Sequence, residues 1–406
     1  MIIKNDLYKR GIITELYFNG QMSCADLSMN TDKSIPLTTK ILNELIEEGF
    51  VVETGYANST GGRRPLMFSL KPDILYVVSV AMDQFVTRMV LMDMENHYVS
   101  EVEKFELNLY KEKDSLSTLT ENIEAFIQKL SVEKEKIAGI GIAMPGFVDA
   151  KKGLNYSLLH SDNRSISEHI SGKTGLPVFI DNDSSLIALA ELRFGNIKHR
   201  KDAMVVNIGW GIGLGMIVNG KMFRGYNGFA GEFSHIPLFT NDKLCSCGKK
   251  GCLETETSLF VIIEKAKKSL GEGRVSILQQ RPMNDLELAS ESILSAAADG
   301  DQFAVELLSD AGYKIGKGIA VLIHILNPET IVLSGRGAAA GKLWLAPIQQ
   351  SINENCIPRI AANTTIELSN LGYDAELAGA AALVMENFEK KPVKEYNTKQ
   401  AASISN

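Results

Sequence analysis

The sequence is short of several things that would place it outside ordinary globular proteins. Cysteine occurs only five times in 406 residues and tryptophan twice. No run of about 18 consecutive apolar residues is present, so no transmembrane helix is expected. The opening "MIIKNDLYKRGIITELYFNGQ" lacks an apolar signal segment with a cleavage site. A cytoplasmic chain is therefore expected, and there the cysteines read as metal ligands or free thiols rather than a disulfide framework. Positive charge is not in excess either. Lys and Arg number 42 against 49 Asp and Glu, a net charge of −7, which argues against an unspecific polyanion binder. What is present suits packed cores: 45% hydrophobic and 22% charged residues, at a length for two or three domains.

Residues 1–70 differ from the rest. "DLYKRGIITELYFNGQ" (6–21) carries Leu7, Ile12, Ile13, Leu16 and Tyr17 at helical spacing. A short second helix follows with Ser23 as its N-cap. "SIPLTTKILNELIEEGF" (34–50) starts a third at Ser34 and Pro36, with an apolar face of Ile41, Leu42, Leu45 and Ile46, and stops at Gly49. "VVETGYANSTGGRRPLMFSL" (51–70) alternates around a Gly-rich turn, as a β-hairpin does. Three helices and a hairpin make a winged helix-turn-helix. Its third helix would enter the major groove with Thr38, Thr39 and Lys40 foremost. Arg63 and Arg64 in "STGGRRP" suit a narrow, negative minor groove. A small helical protein-interaction domain would share the helix pattern; the wing arginines favour DNA. Seven basic against eight acidic residues in this segment leave a single copy weak on phosphates, so a dimer reading two half-sites is expected.

From residue 71 to 388 strands and helices alternate, predicting an α/β fold with ligands in loops at strand ends. The tail 389–406 is polar. Within it all, one stretch stands apart: "HIPLFTNDKLCSCGKKGCLETE" (235–256) places one histidine and three cysteines inside eighteen positions. Three thiolates and an imidazole make a closed tetrahedral metal site with no open position for a catalytic water. Cys24 and Cys356 lie far off in sequence and read as ordinary thiols.

Several motifs together carry a family resemblance. "MPGFVD" (144–149), "DND" (181–183), "GIGLG" (211–215), "GFAGEFSH" (228–235), "CSCGKKGCLE" (245–254) and "NPETIVLSG" (327–335) resemble the ROK family (repressors, open reading frames and sugar kinases) of the actin-like ATPase/sugar kinase superfamily. With the N-terminal unit added, the chain resembles that family's xylose and N-acetylglucosamine repressor branch. The resemblance implies a two-lobed fold and a structural zinc on His235, Cys245, Cys247 and Cys252. It also implies a sugar site on Gly146, Asn182, Asp183, Glu232, His235 and Glu254, carboxylates there accepting from sugar hydroxyls.

The resemblance also sets the question of catalysis. In ROK kinases the counterpart of Asp183 is a general base, and an Asp-x-Gly-Gly-Thr turn cradles phosphate beside a metal. The corresponding stretch here is "AMDQF" (81–85). Ala81 replaces the metal-side carboxylate, Asp83 and Gln84 replace the glycines, and Trp210 stands where kinases have a small hydroxyl residue. The expectation is therefore no enzyme, with Asp183 a vestigial base. A sugar-responsive repressor that binds operator DNA as a homodimer or higher homo-oligomer, with a sugar or sugar phosphate as effector, is favoured. The alternative is an ATP-dependent sugar kinase carrying a DNA-binding domain.

Overall fold

The structure is a computed structural model that describes residues 2–58, 64–112, 114–159 and 164–389, with side chains from residue 6 onward. The N-terminal unit runs α1 (Ile2–Asn19), β1 (Met22–Ser23), α2 (Cys24–Asn30), α3 (Ile35–Glu47), β2 (Val51–Tyr56) and β3 (Leu66–Leu70). Ser23 and Asp26 close a capping box at the start of α2, satisfying amides the first turn leaves unpaired. Pro36 sits in the first turn of α3, and Ile41, Leu42 and Leu45 are buried. The helix ends at Gly49, whose φ of 80° is cheap only for glycine. β2 and β3 form an antiparallel hairpin extended by β1, the arrangement expected of a winged helix-turn-helix.

The remainder contains two sheets. The first is built from β4 (Tyr76–Met82), β5 (Val86–Met92), β6 (Glu103–Glu106), β7 (Ile137–Met144) and β10 (Val178–Asn182). Between them lie α4 (Ser115–Lys129), the small hairpin β8 (Val148–Asp149) and β9 (Leu154–Asn155), and α5 (Ile166–Thr174). Helix α6 (Asp183–Arg193) leads to the second sheet, made of β11 (Ala203–Ile208), β12 (Ile212–Val218), β13 (Lys221–Met222), β14 (Thr330–Ser334) and β15 (Thr365–Leu368). Its helices are α7 (Glu254–Thr257), α8 (Leu259–Gly271), α9 (Leu286–Ala298), α10 (Gln302–Leu326), α11 (Leu345–Asn355) and α12 (Pro358–Ala361), and the last helix, α13 (Ala375–Glu386), returns to pack on the first sheet.

The strand orders are β10-β7-β4-β5-β6 and β13-β12-β11-β14-β15. Each sheet has three consecutive antiparallel strands followed by two parallel ones added beside the first. The same topology is thus used twice, and the lobes face each other across a cleft. Near-continuous apolar runs such as "IAGIGIAM" in β7 suit strands covered on both faces.

Two helices carry the lobes' contact. A Cβ placed on Gly379 of α13 would sit 2.0 Å from the Leu186 carbonyl oxygen of α6, so their backbones touch. One apolar core joins α1 and α3 with Leu186, Leu189 and the inner face of α13. The N-terminal unit is therefore packed onto the first lobe rather than hung from it. Among the described residues no helix is long and apolar enough to cross a membrane. Residues 390–406, nearly all of the polar tail, and Arg63 lie outside the described residues.

Candidate functional site

The cleft between the lobes holds a cavity of about 330 Å³. All six residues expected to bind sugar line it: Gly146, Asn182, Asp183, Glu232, His235 and Glu254. Gly146 adopts φ 92°, and a Cβ there would run into the Ser157 hydroxyl oxygen at 2.1 Å. Asn182 is the N-cap of α6. Its carbonyl oxygen accepts from the Ser185 amide and its amide group donates to the Gly146 carbonyl, both at 3.1 Å. It thereby fixes the "MPGFVD" loop against the helix start.

Asp183, the first residue of α6, accepts from the Ser184 amide at 2.7 Å and from the Ser184 hydroxyl at 3.2 Å. Burial, aided by the Glu376 carboxyl, pushes its pKa up to about 7. A group so poised can give or take a proton near neutrality. Burial also raises Glu232 and Glu254, while the nearby His235 works the other way on both.

His235, Cys245, Cys247 and Cys252 offer ligand atoms that all lie within 4.8 Å of one another. Cys245 Sγ is 3.4 Å from His235 Nδ1, and the Cys247 and Cys252 sulfurs are 3.6 Å apart. A tetrahedral zinc with bonds of about 2.3 Å to sulfur needs S···S edges of about 3.8 Å, so the donor set and its spacing fit that ion. Gly251, at φ 75° and with its Cβ position only 2.0 Å from the Phe239 carbonyl oxygen, lets the knuckle close. The other ring nitrogen of His235 stands 3.8 Å from Glu232, and Glu254 lies two residues past the last cysteine. The knuckle thus carries the cavity's acidic wall.

The opposite end of the cavity is built differently. Ala81 is buried within β4 and pairs with Arg88 across the hairpin. In the turn that follows, one Asp83 oxygen accepts from the Phe85 and Val86 amides, each at 2.8 Å. The other accepts from the Trp210 indole N–H at 2.9 Å and lies 3.6 Å from the Arg336 guanidinium. Arg336 stacks 4.8 Å from the Trp210 ring and 4.3 Å from the Tyr373 ring, donates to the Tyr373 hydroxyl, and pairs with Glu287 at 3.0 Å. Arg88 also stacks on Tyr373, 3.5 Å from the ring centroid, and pairs with Glu376 at 2.9 Å.

Sequence reasoning singled out Asp83 and Trp210 but missed Arg336, Tyr373, Arg88 and Glu376. The arginine in "SGRGAAAG" (334–341), just after the last of the family motifs, was the available signal. It also missed Asn207, whose buried side-chain oxygen has no partner while its amide group donates to Ser184 Oγ at 3.0 Å.

In the N-terminal unit the expected groove-facing set needs one correction. Thr38 is buried at 1% exposure and its hydroxyl donates to the Ser34 carbonyl, so it faces the core beside Ile41 and Leu42 and cannot read DNA. Its burial was legible in the sequence, since Thr38 lies three, four and seven residues before Ile41, Leu42 and Leu45 and so shares their apolar face, a spacing the groove-facing assignment overlooked. Thr39, Lys40 and Asn43 are exposed on the outer face. Arg64 is exposed, with its guanidinium 5.8 Å from the Tyr56 ring.

A duplicated, two-lobed fold with a sugar-kinase-like cleft, preceded by a winged-helix unit, defines a class that contains both kinases and regulators. The chain belongs to the ROK family, whose family model matches residues 86–387. It is 30% identical over 387 residues to the xylose repressor of Caldicellulosiruptor bescii, covering 94% of this chain and 96% of that one. It is 33% identical over 292 residues to the glucokinase of Halalkalibacterium halodurans, covering 70% and 88%. Among solved structures it matches a ROK family transcriptional regulator, a homologue of the E. coli MLC protein, with a TM-score of 0.77, 27% identity and coverage of 94% and 96%. The repressor matches are long enough to include the N-terminal unit. The kinase match is shorter by more than that unit's length.

Proposed function

We propose that this chain is a sugar-responsive transcriptional repressor that binds operator DNA as a dimer, with a structural zinc and a pocket derived from a kinase. One observation carries the reading. Helices α6 and α13 begin in the cavity, at Asp183 and beside Glu376, and end against α1 of the N-terminal unit. Phe194, just past α6, packs 5.9 Å from Phe18 and 5.8 Å from Tyr17. Arg193 stacks 4.4 Å from Phe18 and donates to Glu386 at 2.6 Å. Arg10 of α1 donates to the Phe388 carbonyl at 3.0 Å and stacks on its ring. A ligand that moves the helix starts therefore pulls on elements packed against α1, which is what coupling of two sites requires.

His235, Cys245, Cys247 and Cys252 would hold the zinc, which supplies a rigid fold for the knuckle and no open coordination position. Phosphoryl transfer is not expected, because Asp83 and Trp210 fill the space where a nucleotide's phosphates would need glycine backbone and a metal.

For DNA, Thr39, Lys40 and Asn43 take the major groove, with Asn43 able to pair with an adenine edge, while Arg63 and Arg64 take the minor groove. The test is selection of a bound sequence from random duplexes, followed by gel-shift titration with and without monosaccharides. A bound inverted repeat whose affinity changes about tenfold or more (about 1.4 kcal/mol) with one sugar is the expected result. Asn43→Ala should relax one base position, and Arg64→Ala should weaken binding at A/T-rich flanks. Binding indifferent to every sugar, or steady turnover of ATP with one, would sink the proposal.

A further inference from the structure

The sugar-sensor reading leaves open whether the effector carries a phosphate, and the cleft itself speaks to that. Nests of backbone amides beside a cation are where proteins bind phosphate. Such a nest exists here, formed by the Phe85 and Val86 amides, the Trp210 indole N–H and the Arg336 guanidinium. It already contains an anion. Both oxygens of Asp83 fill it, one on the two amides at 2.8 Å and the other on the indole at 2.9 Å with Arg336 at 3.6 Å.

The rest of the lining agrees. Arg336 is the only Lys or Arg among the described residues around the cavity, against five carboxylates, Asp83, Asp183, Glu232, Glu254 and Glu376. Its guanidinium is held on every side, by Glu287, Asp83, the Tyr373 hydroxyl and two aromatic faces. The unpartnered buried oxygen of Asn207, in the same lining, is an acceptor. It welcomes a hydroxyl or a water and repels a phosphate oxygen.

We propose that Asp83 is a built-in anion occupying the phosphate position of the cleft, so that the effector is an unphosphorylated monosaccharide and sugar phosphates are rejected. The inference rests on the sugar-sensor reading. A phosphorylated ligand would have to displace Asp83 from three hydrogen-bond donors and its ion pair with Arg336, or lie against its charge and that of Asp183. A neutral polyol needs only acceptors for its hydroxyls, and the carboxylates supply them.

Calorimetric titration of the zinc-loaded full chain tests this, using xylose, glucose, mannose and N-acetylglucosamine, each against its terminal phosphate. The wild type should bind one free sugar at least about tenfold more tightly than that sugar's phosphate. Asp83→Ala should narrow or reverse that ratio and acquire measurable binding of inorganic phosphate, because the amides and Arg336 lose their internal partner. Asp83→Asn, which keeps the size and one acceptor oxygen, guards against misfolding and should narrow the ratio by less. A wild type that prefers the phosphate, or variants that fold and keep the wild-type ratio, would overturn the proposal while leaving the sensor reading intact. No binding of any sugar in either form would remove both.

Discussion

The two lobes repeat one topology, and their first hairpin turns, β4–β5 and β11–β12, occupy matching places at the cleft. They have gone opposite ways. In the first, Asp83 caps the Phe85 and Val86 amides with its own carboxylate, and the turn has nothing left to offer a ligand. In the second, glycine is kept where neighbours press close: a Cβ on Gly211 would meet Glu254 at 2.6 Å, and one on Gly213 would meet the Ser184 hydroxyl oxygen at 1.9 Å. These glycines let the acidic wall and the start of α6 approach. Equivalent positions in a duplicated fold can thus be closed or kept open by one side chain, and the indole of Trp210 ties the closed turn to the open one.

On the proposed zinc, stripping metal from the His235–Cys252 cluster should break the comparison most severely, since that cluster supports the second lobe's wall alone. Structural zinc contributes on the order of 10 kcal/mol of apparent binding free energy to small domains, so chelation should greatly lower the unfolding temperature and abolish sugar binding. Scanning calorimetry paired with elemental analysis reads this out. A metal-free chain that is fully stable and binds sugar would show the knuckle to be incidental.

Asp183 gives the next effect. Its folded pKa, near 7, exceeds the unfolded value of about 3.9, so the folded state holds the extra proton between those limits. Stability is therefore greatest below pH 4 as far as this group is concerned, and falls by on the order of a few kcal/mol as pH rises through 7. Asp183→Asn should be more stable than wild type at pH 8 and indistinguishable near pH 4. Urea unfolding at both pH values decides it, and equal gains at both would mean the carboxylate is not strained by burial.

The smallest effect sharpens the link between the turns. Trp210→Phe keeps a ring beside Phe85 and Arg336 but loses the N–H that Asp83 accepts. A hydrogen bond to a charged group is worth about 1.5–3 kcal/mol, so the variant should unfold at lower urea with an unchanged denaturant slope. A change below about 0.5 kcal/mol would mean that Arg336 and the turn's own amides hold Asp83 in place without the indole.

Some features were legible because they are local. The Ser23 N-cap, the Pro36 helix start and the His235–Cys252 cluster each lie within one short stretch, where residue spacing limits geometry. The rotation of α3 was legible too, although the groove-facing assignment of Thr38 overlooked it: Thr38 shares the i, i+3, i+4, i+7 stripe of Ile41, Leu42 and Leu45, and Thr39 does not.

The sequence by itself determined the alternation of strands and helices, the ROK motifs, the donor set of the metal knuckle and the loss of glycine at residues 83 and 84. Tertiary structure alone decided what the loss became. Asp83, Trp210, Arg336 and Tyr373 come from both lobes and from distant parts of the chain, and no spacing rule connects them. A carboxylate in a turn is a solvated charge until folding brings an indole N–H and a guanidinium to it. Once that happens, leaving any of the three unpaired in the cleft costs more than keeping them together.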